Sequence, residues 1–88
     1  MTWTINLTVK ALKEVKKIDR VTQKRMRDYL RDRISKAEDV RQLGKALHGS
    51  KKELWRYRVG NYRILTKFED SKLIVLVISV GHRSIVCL

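Results

Sequence analysis

The sequence predicts an α+β fold, with two helices of the N-terminal half packed on a small, mostly antiparallel β-sheet in β-α-α-β-β-β order. Three observations carry the prediction. Apolar residues alternate over residues 2–7 and again on both sides of Gly60-Asn61, the period of a half-buried strand. From Ala11 to Ala37 they recur three or four apart, the period of amphipathic helices. Residues 73–80 are apolar almost throughout, as in a strand covered on both faces. Strands at both ends with helices between them bury these surfaces by laying the helices on one sheet face. The length of 88 residues argues for one domain, spanning residues 1–88.

The elements follow in order. Residues 2–7 put Trp3, Ile5 and Leu7 on one side of a first strand. Thr8 suits a helix N-cap, since its hydroxyl can accept from the first turn. Ala11, Leu12, Val15 and Ile18 then form a stripe, and this helix is predicted to end near Asp19-Arg20. Thr22 suits the cap of a second helix, with Met26, Tyr29, Leu30, Ile34 and Ala37 inward. Arg25, Arg27, Asp28, Arg31, Asp32 and Lys36 fall on its solvent side. The short link implies an antiparallel helical hairpin. Residues 37–52 lack a clean period and are punctuated by Gly44 and Gly49. They read as a connection with room for one helical turn, anchored by Leu43 and Leu47.

Residues 54–65 read as a β-hairpin. A glycine-first two-residue loop suits the turns whose twist matches that of paired strands. With Gly60-Asn61 as the turn, Val59 opposes Tyr62, Arg58 opposes Arg63, Tyr57 opposes Ile64 and Arg56 opposes Leu65. Opposed residues share a side, so Arg56, Arg58 and Arg63 converge on one face. Trp55, Tyr57, Val59, Tyr62 and Ile64 converge on the other. Like charges opposed across strands repel. Guanidiniums gathered on one rigid surface suit a phosphate, which they grip with forked donors. A solvated outer face is the plainer alternative. The second strand runs to Phe68, residues 69–72 turn, and residues 73–80 form the doubly buried strand. Gly81-His82-Arg83 interrupts it, and residues 84–87 suit a last short strand.

Lysine plus arginine number 21 against 9 acidic residues, a formal charge of +12. Such a field favours RNA, DNA, an acidic protein or an anionic membrane surface without choosing among them. Lys45, His48, Lys51 and Lys52 add charge just before the hairpin, where they can contact a polyanionic partner. One cysteine excludes an internal disulfide and fits a reducing cytoplasm. No signal-peptide pattern is visible, and the longest apolar run is too short to span a bilayer. Two histidines and one cysteine lie apart without ligand spacing, so no metal or other cofactor is expected. No glycine-rich phosphate loop or serine triad is present.

Four runs stand in a specific order. They are Ala11-Leu12-Lys13, Leu43-Gly44-Lys45-Ala46-Leu47-His48-Gly49, Trp55-Arg56-Tyr57-Arg58-Val59-Gly60-Asn61-Tyr62-Arg63 and Val77-Ile78-Ser79-Val80-Gly81-His82-Arg83. In these the chain resembles the RelE branch of the RelE/ParE superfamily, toxins of bacterial and archaeal toxin–antitoxin pairs. The resemblance implies an mRNA endonuclease that enters the ribosomal A site and contacts ribosomal RNA. There the message's own 2′-hydroxyl attacks the adjacent phosphate without a metal. It also implies an acidic, RelB-like antitoxin wrapped around the toxin. The family's active-face positions correspond to Arg56, Arg58, Arg63 and Arg83. Where many close members carry a tyrosine with a stacking or general-base role, this chain has Cys87. Arginine holds its proton too tightly to serve as acid or base. His82 and Cys87 are therefore the candidates for proton transfer. Two other readings stay open: a ParE-like inhibitor of DNA gyrase, and a catalytically weakened RelE relative that mainly binds ribosome or antitoxin.

Overall fold

The computed structural model describes residues 2–38, 40–46 and 54–82. The chain runs β1 (Thr4–Leu7), α1 (Val9–Lys16), α2 (Arg20–Asp28), β2 (Lys45–Ala46), β3 (Trp55–Val59), β4 (Tyr62–Glu69) and β5 (Ile74–His82). The sheet order is β1-β5-β4-β3-β2; β1 lies parallel to β5 and the other pairs are antiparallel. This is the expected β-α-α-β-β-β order, with one two-residue strand, β2, added in the connection before the hairpin. The parallel pair follows from the two helices, which carry the chain across the sheet between β1 and the rest.

Thr8 caps α1 as expected: its hydroxyl oxygen accepts from the Ala11 N–H at 3.1 Å. The same hydroxyl donates to the Ile78 carbonyl at 2.9 Å, which ties the helix start to β5. Three expectations for the helices need correction. The first helix ends at Lys16, before Asp19-Arg20. Asp19, not Thr22, caps α2, accepting the Thr22 N–H at 2.9 Å and the Thr22 hydroxyl at 2.8 Å. A carboxylate is the stronger acceptor, and these bonds hold its pKa below the ordinary value. The inward stripe is Ala11 and Val15 of α1 with Ile18 just past its end; Leu12, expected in that stripe, is 47% exposed.

From Tyr29 to Ile34 the second helix widens into a π-helical stretch, in which the Ser35 N–H reaches back five residues to the Leu30 carbonyl. Met26, Leu30 and Ile34 stay buried through it. Ser35 then ties the helix end to the first strand. The Trp3 N–H donates to its carbonyl, and its hydroxyl donates to the Trp3 carbonyl, each at 2.7 Å.

The core lies between the helices and one sheet face, with Trp3, Tyr57, Val59, Ile64, Val75, Val77 and Val80 from the sheet side. Val40, in a 3-10 turn (Val40–Leu43), is fully buried, and its carbonyl accepts the Tyr57 hydroxyl at 2.6 Å. Val40 is thus the anchor of the connection among the described residues; the expected anchor Leu47 lies outside them, as does the Leu43 side chain. Gly44 lets the chain pass close to β3, since a Cβ there would lie 2.7 Å from the Arg56 carbonyl oxygen. Arg41 forks onto Asp70 at 3.0 and 2.9 Å and lies 4.8 Å from the Phe68 ring centre.

β5 departs from a uniformly buried strand. Leu65 pairs with Ser79 but Thr66 pairs with Val77, so Ile78 is an extra residue in a bulge. The bulge flips the alternation, and Val75, Val77 and Val80 all reach the core. Ile74, Leu76 and Ile78 are only half-buried. The strand also continues through Gly81 and His82 instead of stopping at Val80. β1 ends at Leu7, and Glu14 of α1 stands in for it beyond that point. Its carboxylate accepts the Ser79 hydroxyl at 2.9 Å and the Val80 N–H at 3.0 Å. The expected last strand over residues 84–87 lies outside the described residues.

Candidate functional site

The hairpin has the register its sequence implies: Val59 with Tyr62, Arg58 with Arg63, Tyr57 with Ile64 and Arg56 with Leu65. Gly60 holds φ +59°, a left-handed backbone that a glycine reaches without strain. The ladders on either side extend each pair into a row across the sheet. One row is Lys45, Arg56, Leu65 and Ser79; the next is Arg58, Arg63 and Gly81. Lys45, Arg56, Arg58 and Arg63 therefore stand on one face, opposite the helices. Tyr57 and Ile64, on the other, are 1% and 0% exposed.

The basic face is graded in depth. Lys45 and Arg58 are exposed, and Arg56 and Arg63 half-buried. Leu65 and Leu54 form a small apolar floor beside them. Among the described residues, none of the three arginines is paired with a carboxylate. Nη1 of Arg63 is buried and has no hydrogen-bond partner among the described residues. A buried donor left unmade costs about 1–3 kcal/mol, and more when charged. Such a donor is what a bound anion would satisfy. No group of His, Cys, Asp and Glu side chains among the described residues is arranged to hold a metal ion.

The structure does not bring every expected residue to this face. His82 pairs opposite Tyr62, with ring centres 5.6 Å apart at 84°. Gly81 occupies the row of Arg63, so the next residue must project to the other side, away from the arginines. Arg83, Cys87, His48, Lys51 and Lys52 lie outside the described residues. The structure also brings helix side chains to the hairpin that sequence patterning does not place there. The period of α2 assigns Arg25 to a solvent face, yet its guanidinium lies over the turn, 3.5 Å from where a Gly60 Cβ would sit. Nothing in that spacing signals the approach, because it joins segments distant in sequence. Tyr29 is half-buried, edge-on to Tyr57 with ring centres 6.2 Å apart. Burial pushes its phenol pKa up from the usual value, and the Arg33 charge opposes that.

The chain matches the family model described as ParE toxin of type II toxin-antitoxin system, parDE, over residues 5–86. Among solved structures it resembles the toxin–antitoxin complex RelBE2 from Mycobacterium tuberculosis. The two are 21% identical over 96% of this chain and 94% of that one, with a TM-score of 0.86. A free arginine-to-alanine double mutant of Escherichia coli RelE is 22% identical over 98% and 88% of the two chains, with a TM-score of 0.77. An archaeal RelE–RelB complex from Pyrococcus horikoshii OT3 is 19% identical over 94% and 97%, with a TM-score of 0.68. At these identities the likeness is one of fold. A comparison with curated proteins returns no match.

Proposed function

The chain belongs to the family of ParE toxins of type II toxin–antitoxin systems, and from that premise we propose that it is a ribosome-dependent mRNA endonuclease. The observation that carries this reading is the basic row beside the turn, with Arg58 across from Arg63 and a buried Arg63 Nη1 lacking a partner among the described residues. A toxin that acts only by covering a protein has no need of such a clamp. In the proposed reaction the 2′-oxygen of the message forms a bond to the adjacent phosphorus. The bond from phosphorus to the 5′-oxygen of the next nucleotide breaks, leaving a 2′,3′-cyclic phosphate and a 5′-hydroxyl. Arg56, Arg58, Arg63 and Arg83 hold the phosphate and neutralise the charge that builds on it. The arginines cannot move the protons. With His82 turned toward Tyr62, Cys87 is the remaining candidate for that step. Lys45, His48, Lys51 and Lys52 serve the ribosomal RNA.

The domain is taken as residues 1–88, acting in the cytoplasm; among the described residues no helix is long and apolar enough to cross a membrane. Its partner is an acidic antitoxin. The charge of +12 calls for one, and relatives of this fold were solved as toxin–antitoxin complexes. The match to a ParE model favours one second reading, inhibition of DNA gyrase. Translation in a cell-free extract with primer extension on the message separates the two. Cuts within codons on translating ribosomes, lost in Arg63→Gln, are expected. An intact message together with blocked supercoiling would replace the nuclease reading with the second.

A further inference from the structure

Between the second helix and the hairpin turn lies an open cleft of about 450 Å³, lined by Arg25, Asp28, Tyr29, Asp32, Arg33 and Arg58. It lies on the helix side of the molecule and is not the arginine row described above. We propose that this cleft is a second RNA site, which holds a backbone phosphate of a single strand passing around the end of the hairpin. Arg58 sits where the two meet: it borders the cleft, while by register its side chain stands with the open-face row.

The charge balance of the walls points to an anion. Among the described residues Arg25, Arg33 and Arg58 form no ion pair. The two carboxylates in the lining are already committed. Asp28 binds Lys24 at 2.9 Å and Arg31 at 2.8 Å, and Asp32 binds Arg31 at 3.1 Å. Two acids set against Lys24 and Arg31 leave the two helix arginines of the wall, Arg25 and Arg33, uncompensated. Their clustering is not accidental to the fold: Gly60 has no side chain, and the Arg25 guanidinium occupies the space above it. Any other residue would strain the left-handed turn. Guanidiniums match phosphate with forked donors, and the Tyr29 ring gives the cleft a surface for a sugar or base.

The site rests on the nuclease reading only for the identity of the polyanion, and its test is independent of cleavage. The probe is a fluorescein-labelled 2′-O-methyl oligoribonucleotide, which has no attacking hydroxyl and cannot be cut. Its binding to the full chain is measured by anisotropy across a salt series. Folding of each variant is checked by its thermal transition. For the Arg25→Gln/Arg33→Gln double variant, affinity near 0.1 M salt is expected to fall roughly tenfold. The slope of log affinity against log salt is expected to flatten by about 0.7 for each phosphate no longer neutralised. The control is Lys10→Gln/Lys13→Gln on α1, which removes equal charge elsewhere and is expected to weaken binding clearly less. Equal losses of affinity in both variants, or none in either, would overturn the site. So would weakened binding of labelled polyglutamate with RNA binding unchanged, which would assign the cleft to an acidic protein. An uncut message in the translation extract would sink the nuclease reading and leave this result standing.

Discussion

On the helix side of the β3–β4 hairpin, Tyr57, Val59, Ile64 and Thr66 are sealed under α1, α2 and the Val40 turn. On the other side of the same strands, Arg56, Arg58 and Arg63 stand without a carboxylate partner among the described residues. The backbone is shared and the residues alternate, so neighbours one position apart do opposite work. The covered face carries stability, through buried area and the Tyr57 hydroxyl bond to Val40. The open face gives up some stability to like charges held close together. A strand with one buried side can therefore carry a charged site at little risk to the fold, because the two sides respond to different substitutions.

The sharpest way to break this contrast is on the covered side. Tyr57→Ala empties the largest fully buried position and leaves the Val40 carbonyl unpaired. The expected loss is about 3–5 kcal/mol in denaturant unfolding, a large part of the stability of so small a domain. Tyr57→Phe keeps the ring and is expected to cost about 1–2 kcal/mol. On the open side, Arg63→Gln is expected to slow cleavage on ribosomes by about 10²–10³-fold, the usual effect of removing one donor from a transition-state charge. Its unfolding midpoint should hold or rise, with a gain of up to about 1 kcal/mol from relieved repulsion against Arg58. An Arg63→Gln protein as unstable as Tyr57→Ala would erase the division between the faces.

The smallest expected effect sharpens the comparison through charges that are paired. The Arg41 fork holds the Asp70 carboxyl below the ordinary 3.8. Between that lowered value and 3.8 the folded chain binds fewer protons than the unfolded one. The contribution is present above the ordinary value and is lost as pH falls through the folded one. Thermal midpoints should therefore decline on acidification in this window, and Asp70→Asn should start from a slightly lower midpoint at neutral pH, decline less and converge with the parent chain below the window. The guanidiniums of the open face do not titrate there. Arg63→Gln should leave the slope of the acid limb as it is.

The hairpin is legible because everything that sets it is local. Gly60 accepts the left-handed turn, and alternation on both sides assigns each residue to a face before any contact is known. The helix starts are only half legible. Thr8 caps as its position suggests, whereas Asp19 takes the cap that spacing assigns to Thr22, three residues earlier and with the stronger acceptor. The connection before the hairpin is least legible. Its anchor Val40 is one apolar residue among several, picked out only because the Tyr57 hydroxyl reaches its carbonyl.

From its residues alone, then, the chain determines the α+β order, the two faces of the hairpin and the row in which Arg58 meets Arg63. Period and turn chemistry act between near neighbours and need no partner to be read. Only the tertiary structure decides that Ile78 bulges so that Val80 turns inward, that Glu14 receives the Ser79 and Val80 donors, and that His82 faces Tyr62. It alone lays Arg25 over Gly60 and buries a nitrogen of Arg63. Each of these joins segments far apart in the chain. Its energy depends on distances and exclusion of water that no local pattern encodes.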